Sequence, residues 1–170
     1  MKNSKKSIYS VSDSLFRFYY RFVAPYNSLL ELQRFQVVEQ IIETQFSQHV
    51  SLVWEQLCRD YVSGRELEGR FYSVASRWWG KVKNANGEMK QVELDVVAES
   101  LDKKHILIGE CKWTTQEDVS RLHAELQSIA PYLPFVKKGQ HLHIVYFMKN
   151  PPTHAEGHSV FLPADVLIAK

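Results

Sequence analysis

Apolar residues recur every three to four positions between residues 34 and 62, which is the spacing of one face of an amphipathic helix. This face would carry Val38, Ile41, Ile42, Phe46, Val50, Val53, Trp54, Leu57 and Tyr61. Gly64 follows as a natural stop signal at the C-terminal end. The pattern therefore predicts a long helix, either continuous or broken near Ser47. Glu55, on the border of the apolar stripe, reads from periodicity alone as an ordinary helix-flank glutamate.

A shorter helical pattern precedes the long one, in the stretch SDSLFRFYYRFVAPYNS that starts at Ser12. Ser12 or Asp13 can cap a helix that has aromatic residues at helical spacing, and Pro25 is a stop signal. The beginning of the chain is therefore predicted to be helical.

The stretch 71–84 predicts a strand, whose side chains would alternate between two faces. One face of this predicted strand holds Arg77, Trp79, Lys81 and Lys83, and the first three are possible contacts to the backbone or bases of nucleic acid. Because every nucleobase has a face that stacks on aromatic rings, Trp79 in its basic setting is a candidate contact for nucleic acid. The commoner arrangement for two adjacent tryptophans is that one lies in the core and the other covers a helix. Asn86 and Gly87 predict a turn into the next strand.

The stretch VELDVVAESLDKKHILIGECKW, residues 92–113, predicts two apolar strands joined by a four-residue loop. Pairing Ser100 with His105 places Asp95 opposite Glu110. In that register one apolar face holds Val92, Leu94, Val96 and Ala98 against Trp113, Cys111, Gly109 and Leu107. The other face gathers its charged residues at one end, with Glu93 opposite Lys112.

Two more elements follow this hairpin. The segment 114–133 places Val119, Leu122, Leu126 and Ile129 at helical spacing, with Thr114 or Thr115 as the expected cap. Residues 141–149 predict a further strand that ends before Pro151 and Pro152, and the tail is too short to assign. The order helix, three strands, helix, strand predicts an α/β domain whose mixed central sheet is flanked by helices.

Composition excludes several classes of protein. The chain has 170 residues of which 45% are hydrophobic, so it is globular, and its net charge of +2 is too small to prove a nucleic-acid partner. Cys58 and Cys111 have neither zinc-site spacing nor the number of a disulfide framework, which indicates a reducing compartment. No signal peptide and no apolar run of about 20 residues is present. We expect a cytoplasmic protein, with His141 and His143 on a strand surface.

The paired acids of the hairpin suggest chemistry. Asp95 and Glu110 would repel each other if they lay directly opposite, unless a positive charge lay between them. Mg²⁺ supplies such a charge, because it uses one or two carboxylates together with waters and substrate phosphate. The backbone carbonyl of Cys111 is near enough to contribute. Lys112 could hold or deprotonate the water that attacks phosphorus, so the pattern predicts a metal-dependent phosphodiesterase site.

A plain ion pair explains the same charges without chemistry. Glu93 or Glu110 can neutralise Lys112 on a partly wet sheet face, an interaction worth about 0.2–1 kcal/mol. Asp95 can accept hydrogen bonds from a neighbouring loop. The spacing alone leaves both interpretations open.

Four longer stretches follow one another in the order YSVSDSLFRFYYRFVAP, RWWGK, ELDVVA and GECKW. Together they resemble the C-terminal domain of unknown function that follows the ATPase and winged-helix modules of archaeal-type ATPases. An aspartate followed about fifteen residues later by Glu-x-Lys, on antiparallel strands, also resembles the PD-(D/E)XK phosphodiesterase superfamily. The resemblance covers nearly all of the chain, and GECKW preceded by RWWGK is its strongest part.

The resemblance implies roles for particular residues in a restriction-endonuclease-like fold. Asp95 and Glu110 match the two metal carboxylates, and Lys112 matches the catalytic lysine. Glu55 would be an accessory acid on the first core helix, facing the metal.

The resemblance also implies a domain organisation and partners. Residues 1–33 would be the helical exit from a preceding winged helix, and residues 34–170 the nuclease-like domain. Mg²⁺ or Mn²⁺ is the expected cofactor and DNA the expected substrate, with ATPase and winged-helix modules in a longer protein and a homodimer as one arrangement. The chain has no G-x-x-x-x-G-K-[ST] stretch, so it should not hydrolyse ATP. The alternative is a catalytically inactive module that docks onto or regulates an ATPase.

Overall fold

The structure is a computed structural model that describes Val11 and residues 13–83 and 87–168. The chain divides into two compact units, one up to Val50 and the other from Ser51. No helix within the described ranges is long and apolar enough to cross a membrane.

The first unit is helical. Its elements are α1 (Ser14–Phe18), a π-helical turn (Tyr19–Val23), a 3-10 turn (Ala24–Tyr26), α2 (Asn27–Glu31) and the first part of α3 (Phe35–Val62). Asp13 caps α1, because its Oδ1 accepts hydrogen bonds from the N–H groups of Leu15 and Phe16 at 2.8 and 3.1 Å. The other predicted cap, Ser12, lies outside the described residues. Pro25 is not the stop we predicted, since a proline is tolerated in the first turn of a helix and here lies in the 3-10 turn.

The second unit contains a mixed five-stranded sheet. A small hairpin of β1 (Glu66–Leu67) and β2 (Arg70–Phe71) precedes it. The sheet consists of β3 (Ser76–Lys83), β4 (Met89–Glu99), β5 (His105–Lys112), β6 (His141–Met148) and β7 (Ser159–Phe161), in that order. β3, β4 and β5 are antiparallel, whereas β5, β6 and β7 are parallel. The turn between β3 and β4, predicted at Asn86 and Gly87, falls partly outside the described residues.

The β4–β5 hairpin has the predicted register. Val96 pairs with Gly109, and the pairing continues to the loop, where the N–H of Ser100 donates to the carbonyl of His105 at 2.9 Å. Continuing the same register one step further places Asp95 across from Glu110.

β4 also carries a β-bulge that the sequence did not predict. Its register against β3 shifts between Trp78 and Ser76, so that Asp95 and Val96 both lie opposite Arg77. A bulge of this kind leaves one residue unpaired and changes which face the following side chains occupy.

The bulge makes the predicted apolar face of β4 wrong. Val92 and Leu94 lie in a core cluster with Ile108, whereas Val96 and Ala98 lie in a second cluster. The alternation of strand side chains holds on each side of the bulge but is reversed across it, so the four residues do not share one face.

Helices cover both faces of the sheet in this unit. α4 (Val119–Ile129) and α5 (Pro163–Ile168) complete its elements. The two core clusters draw on different helices: Trp54, Cys58 and Val62 of α3 belong to one, and Val119, Leu122 and Leu126 of α4 belong to the other. The predicted α/β class is confirmed: a mixed central sheet is flanked by helices and an N-terminal helical segment is present, an arrangement compatible with a restriction-endonuclease-like core.

Two local predictions are wrong. α4 is capped by Asp118, whose Oδ1 accepts the N–H of Arg121 at 3.2 Å, and not by Thr114 or Thr115. His143 is not on a strand surface: it is buried, with its Nδ1 2.6 Å from the hydroxyl of Tyr72.

Candidate functional site

Asp95 lies at the bulge, where its side chain takes over a hydrogen bond of the sheet. Its Oδ2 accepts the backbone N–H of Cys111 on β5 at 2.9 Å. Its backbone carbonyl instead accepts a hydrogen bond from Nη1 of Arg59 on α3, also at 2.9 Å. The carboxylate is therefore held between β4 and β5 and has little freedom to rotate.

β4 and β5 separate beyond their last pair, on the side of Asp95 and Glu110. The two strands pair from Val96 and Gly109 up to the loop. Between residues 89 and 94 β4 pairs with β3 alone, and between residues 110 and 112 β5 pairs with β6 alone. Gly109 permits the close approach of Val96 at this last pair, because a Cβ on Gly109 would lie 2.9 Å from the Cβ of Val96 and 3.1 Å from the ring of Phe147. The separation leaves a gap bordered by Asp95 and Glu110, which we call the β4–β5 wedge.

A cavity of about 170 Å³ lies in the wedge, and we call it the wedge cavity. Its walls come from the first half of β4 (residues 90–93), from Glu110 on β5 and from α4. Glu110 is thus the residue that joins the cavity to the predicted catalytic group.

Glu110 and Lys112 form an ion pair on one face of β5. Nζ of Lys112 lies 2.6 Å from Oε1 of Glu110, and the two side chains are 31% and 16% exposed. Burial raises the pKa of Glu110, and although Lys112 lowers it and Asp95 raises it again, the net shift is upward. Burial is the largest single influence on the pKa of Lys112 and lowers it, but the charge and the hydrogen bond of Glu110, with the charge of Asp95, together raise that pKa. Lys112 is consequently an ammonium ion at neutral pH.

Glu55 on α3 belongs to the same charged cluster. Burial raises its pKa, and Asp95 raises it further, while Arg77 and Arg59 lower it; the net shift is upward. Nη1 of Arg59 lies 3.9 Å from Oε2 of Glu55. Because the charges of Asp95 and Glu110 both act on Glu55, the three acids are close enough to interact.

The structure brings the predicted catalytic residues into one region of the second unit. Glu55, Asp95, Glu110 and Lys112 interact with one another through hydrogen bonds or charge. Their roles in catalysis and metal binding stay predictions, as does the backbone carbonyl of Cys111 as a metal ligand.

The predicted pairing of Glu93 with Lys112 is wrong. Glu93 instead forms an ion pair with Arg77 of the neighbouring strand β3, and Lys112 pairs with Glu110 from its own strand. The separation of β4 from β5 in the wedge explains the difference, because Glu93 no longer lies beside β5.

The residues predicted to contact nucleic acid share one face of β3. Arg77, Trp79 and Lys81 are all exposed, and the Trp79 side chain is 50% exposed. Trp78 points the other way and packs edge to face against Phe135, with the ring centroids 5.3 Å apart. Trp78 is therefore packed, as one tryptophan of the commoner arrangement would be, whereas Trp79 is half exposed. Contact with nucleic acid stays a prediction.

Arg59 is a residue of this cluster that the sequence analysis missed. Its side chain is only 14% exposed, and it connects α3 to the bulge through the carbonyl of Asp95. The signal available in the sequence was the i, i+4 spacing from Glu55, which brings the two side chains onto one face of a helix. That spacing is common on solvated helices, so it did not single out Arg59.

The donor atoms of the cluster fit a hard divalent cation. In the described part of the chain, no group of three or more histidine, cysteine, aspartate or glutamate residues is arranged so that it could hold a metal ion. Mg²⁺ does not need one, because it is usually held by one or two carboxylates with waters and substrate phosphates. Burial is the main cause of the raised pKa values of Glu55 and Glu110, and the charge of Asp95 adds to both shifts. Asp95 and Glu110 are therefore suitable ligands.

The uncharacterized protein MJECL04 of Methanocaldococcus jannaschii is similar to this chain, with 27% identity over 129 residues. The aligned region is 72% of this chain but 27% of the relative, so the chain spans about a quarter of that protein's length. The sequence profile of DUF234, described as archaeal and bacterial proteins of unknown function, matches residues 19–126. That match covers more than half of the chain, which therefore belongs to the DUF234 family.

Proposed function

We propose that the chain is a metal-dependent nuclease domain of the PD-(D/E)XK superfamily that binds DNA and hydrolyses phosphodiester bonds. The observation that carries the proposal is the bulge of β4. It fixes Asp95 at the mouth of the wedge, across from Glu110 and Lys112 of β5 and within electrostatic reach of Glu55. A purely structural ion pair would not require three acids to share one partly buried region, where their mutual repulsion is destabilising.

Each residue of the cluster has a distinct task in this proposal. Asp95 and Glu110 would hold Mg²⁺ or Mn²⁺, with the Cys111 carbonyl as a further oxygen. When bound, such an ion stabilises negative charge on phosphoryl oxygens. The Lys112 ammonium would donate hydrogen bonds to the attacking water and to the phosphate, and Glu55 would help to orient that water.

The open face of β3 would position the substrate. Arg77 and Lys81 offer cations to phosphates, and the exposed ring of Trp79 offers a surface on which a base can stack. Because Arg77 also lies opposite the bulge, DNA on this face would run directly past Asp95.

The short coverage of the relative supports a larger protein around this domain. We propose that the domain works with ATPase and winged-helix modules, as the sequence resemblance implies, and in the cytoplasm, where the free thiols of Cys58 and Cys111 remain reduced. A homodimer would allow both strands of a duplex to be cut.

A second candidate function is a catalytically inactive module that regulates or docks onto an ATPase. The observation that favours it is the direct 2.6 Å ion pair between Lys112 and Glu110, which neutralises both groups without a cation. In that case the bulge and its charged residues would only stabilise the fold.

Cleavage of labelled single- and double-stranded DNA in Mn²⁺, Mg²⁺ or EDTA separates these candidates. We expect cleavage that requires the metal and falls by at least about 100-fold in Glu110→Ala and in Lys112→Ala. Lys104→Ala, at an exposed loop position, is the matched control and should cleave normally. Intact DNA in every reaction of a folded wild-type protein would favour the regulatory module.

A further inference from the structure

The charged residues described at the wedge include more acids than cations. Each of the cations lies against an acid: Arg59 with Glu55, Arg77 with Glu93, and Lys112 with Glu110. Asp95 adds a further carboxylate, whose hydrogen bond comes from a backbone N–H and not from a cation. A phosphodiester is itself an anion, and proteins hold it mainly with lysine and arginine side chains. A DNA backbone at the wedge therefore needs positive charge that no neighbouring acid already neutralises.

Lys149 provides such a charge at the edge of the sheet. It follows the last residue of β6, and its backbone N–H donates to the carbonyl of Lys112, the last residue of β5, at 3.0 Å. Among the ion pairs formed by the described residues, none includes Lys149. Lys149 is thus a neighbour of Lys112, and its ammonium group is available to an anion.

The side chain of Lys149 leaves the sheet on the face opposite to that of Lys112. Lys112 is paired in register with Met148, which belongs to the core cluster under α4. Lys149 comes one residue later, and its Nζ lies 5.6 Å from the centre of the Trp113 ring, which packs against the cluster under α3. Since successive strand residues point to opposite faces, the two lysines lie on either side of one sheet edge. A strand of DNA that crosses this edge would meet both.

Trp113 holds the ammonium group of Lys149 in one place. The Trp113 ring packs against Trp54 with the ring centroids 5.3 Å apart. Trp54 is 2% exposed, and its Nε1–H donates to the carbonyl of Phe147 at 3.2 Å, so this pair of rings is anchored in the core. A cation over the face of a tryptophan is attracted to the ring, and this attraction restricts a side chain that would otherwise lose conformational freedom on binding. The positive charge is therefore preorganised for a ligand.

We propose that Lys149, held over Trp113, binds the backbone phosphate adjacent to the scissile one, an inference that rests on the proposed nuclease function. Lys112 would act at the scissile phosphate, while Lys149 would fix the register of the strand across the sheet edge. The ligand is a phosphodiester whatever its base, so this contact is the same for every sequence.

The test measures the binding of fluorescein-labelled twenty-nucleotide DNA, single-stranded and duplex, by fluorescence anisotropy in EDTA and in Ca²⁺ at several NaCl concentrations. Lys149→Gln should weaken binding about fivefold or more and lower the slope of log Kd against log salt by about 0.7–0.9, the loss of one phosphate contact. Lys149→Arg should keep the wild-type slope. Lys138→Gln is the matched control, because it removes the same charge from an exposed lysine before β6, and all eight residues of that strand separate it from Lys149.

Cleavage kinetics in Mn²⁺ separate this contact from the chemistry. A phosphate contact away from the reacting bond is made equally in the ground state and the transition state, so Lys149→Gln should raise KM and leave kcat within about twofold of wild type. Lys112→Ala should instead lower kcat. Circular dichroism melts check that each variant folds.

Wild-type affinity and salt slope in Lys149→Gln, or an equal loss in Lys138→Gln, would overturn the proposal. If wild type cleaves DNA but its binding is insensitive to Lys149→Gln, only the phosphate position is refuted. If binding responds to Lys149→Gln but wild type cleaves nothing, the phosphate position is supported and the nuclease function is refuted. A folded wild type that does not bind DNA would refute both.

Discussion

The carboxylate of Asp95 accepts the backbone N–H of Cys111 at 2.9 Å, and so fills the place in the β4–β5 ladder that a backbone carbonyl would otherwise take. The backbone carbonyl of the same residue accepts a hydrogen bond from Arg59. One residue therefore ends the pairing of two strands and presents an acid at the opening between them. Sheet geometry and the proposed chemistry depend on the same side chain.

Replacement of Asp95 should separate these two roles. Asp95→Asn keeps an oxygen that can accept the Cys111 N–H, so we expect it to fold with a stability loss below about 1 kcal/mol but to lose activity. Asp95→Ala leaves that N–H without its partner and should cost about 1–3 kcal/mol. Urea denaturation of both variants measures the difference. Equal stability of the two variants would show that this hydrogen bond contributes nothing to the fold.

Arg59 is expected to hold the bulge in place. Arg59→Met removes the donor to the Asp95 carbonyl and should lower the free energy of unfolding by about 1.5–3 kcal/mol, the range for hydrogen bonds to charged groups. Arg59→Lys should recover part of the loss. Gln56→Ala is a control on the same helix, because it leaves the hydrogen bond from Arg59 to the Asp95 carbonyl in place. It removes two exposed contacts of Gln56, with Arg59 at 3.1 Å and with Asp60 at 2.8 Å. The measurement is the denaturation midpoint of each variant, compared where the dependence of the free energy of unfolding on denaturant concentration is the same as in wild type.

The pH dependence of stability should reveal the raised pKa of Glu55. Its pKa in the folded protein is raised above the ordinary value of 4.5, so its ionisation is less favourable in the folded than in the unfolded state. The folded state then binds more protons than the unfolded state in the window just above 4.5, and stability falls as pH rises through that window.

Glu55→Gln should therefore be more stable than wild type at pH 7, with an advantage that disappears as the pH falls below about 4.5. Glu43→Gln, at an exposed position of α3, is the control. Thermal melts between pH 4 and pH 8 report both variants. A variant less stable than wild type at pH 7 would mean that the ion pair with Arg59 outweighs the burial of Glu55.

Replacement of Trp79 should affect mainly DNA binding, whereas replacement of Trp78 should affect mainly the stability of the fold. Trp79→Ala should leave stability nearly unchanged and weaken binding of single-stranded DNA about fivefold or more, because an exposed stacking surface is lost. Trp78→Ala should destabilise the protein by about 2 kcal/mol or more through lost packing against Phe135. Anisotropy titrations and chemical denaturation give both quantities. A normal affinity for DNA in Trp79→Ala would remove β3 from the proposed substrate path.

Much of the fold could be predicted because periodicity reports which face of an element is buried. The long helix and the hairpin register followed from residues that are locally consistent with one structure. The bulge could not be predicted in this way, since β4 alternates without interruption through Asp95 and the shift arises from its pairing with Arg77 of another strand. Tertiary pairing of this kind leaves no local pattern.

The candidate site shows the same limit. The register alone placed Asp95 across from Glu110, but it also placed Glu93 beside Lys112, which holds only for strands that stay paired. Arg59 depends on how α3 packs against the bulge, a contact between residues 36 positions apart in sequence. Spacing within one strand was informative, whereas contacts between elements required the structure.

Calorimetric titration of Mn²⁺ into the metal-free protein tests the central claim most directly, because it needs no knowledge of the substrate. We predict a binding site in wild type that weakens at least about tenfold in Asp95→Asn and in Glu110→Gln and is unchanged in Glu43→Gln. Absence of binding heat in wild type, or a Mn²⁺ affinity in both site variants equal to that of wild type, would contradict a metal centre at the β4–β5 wedge.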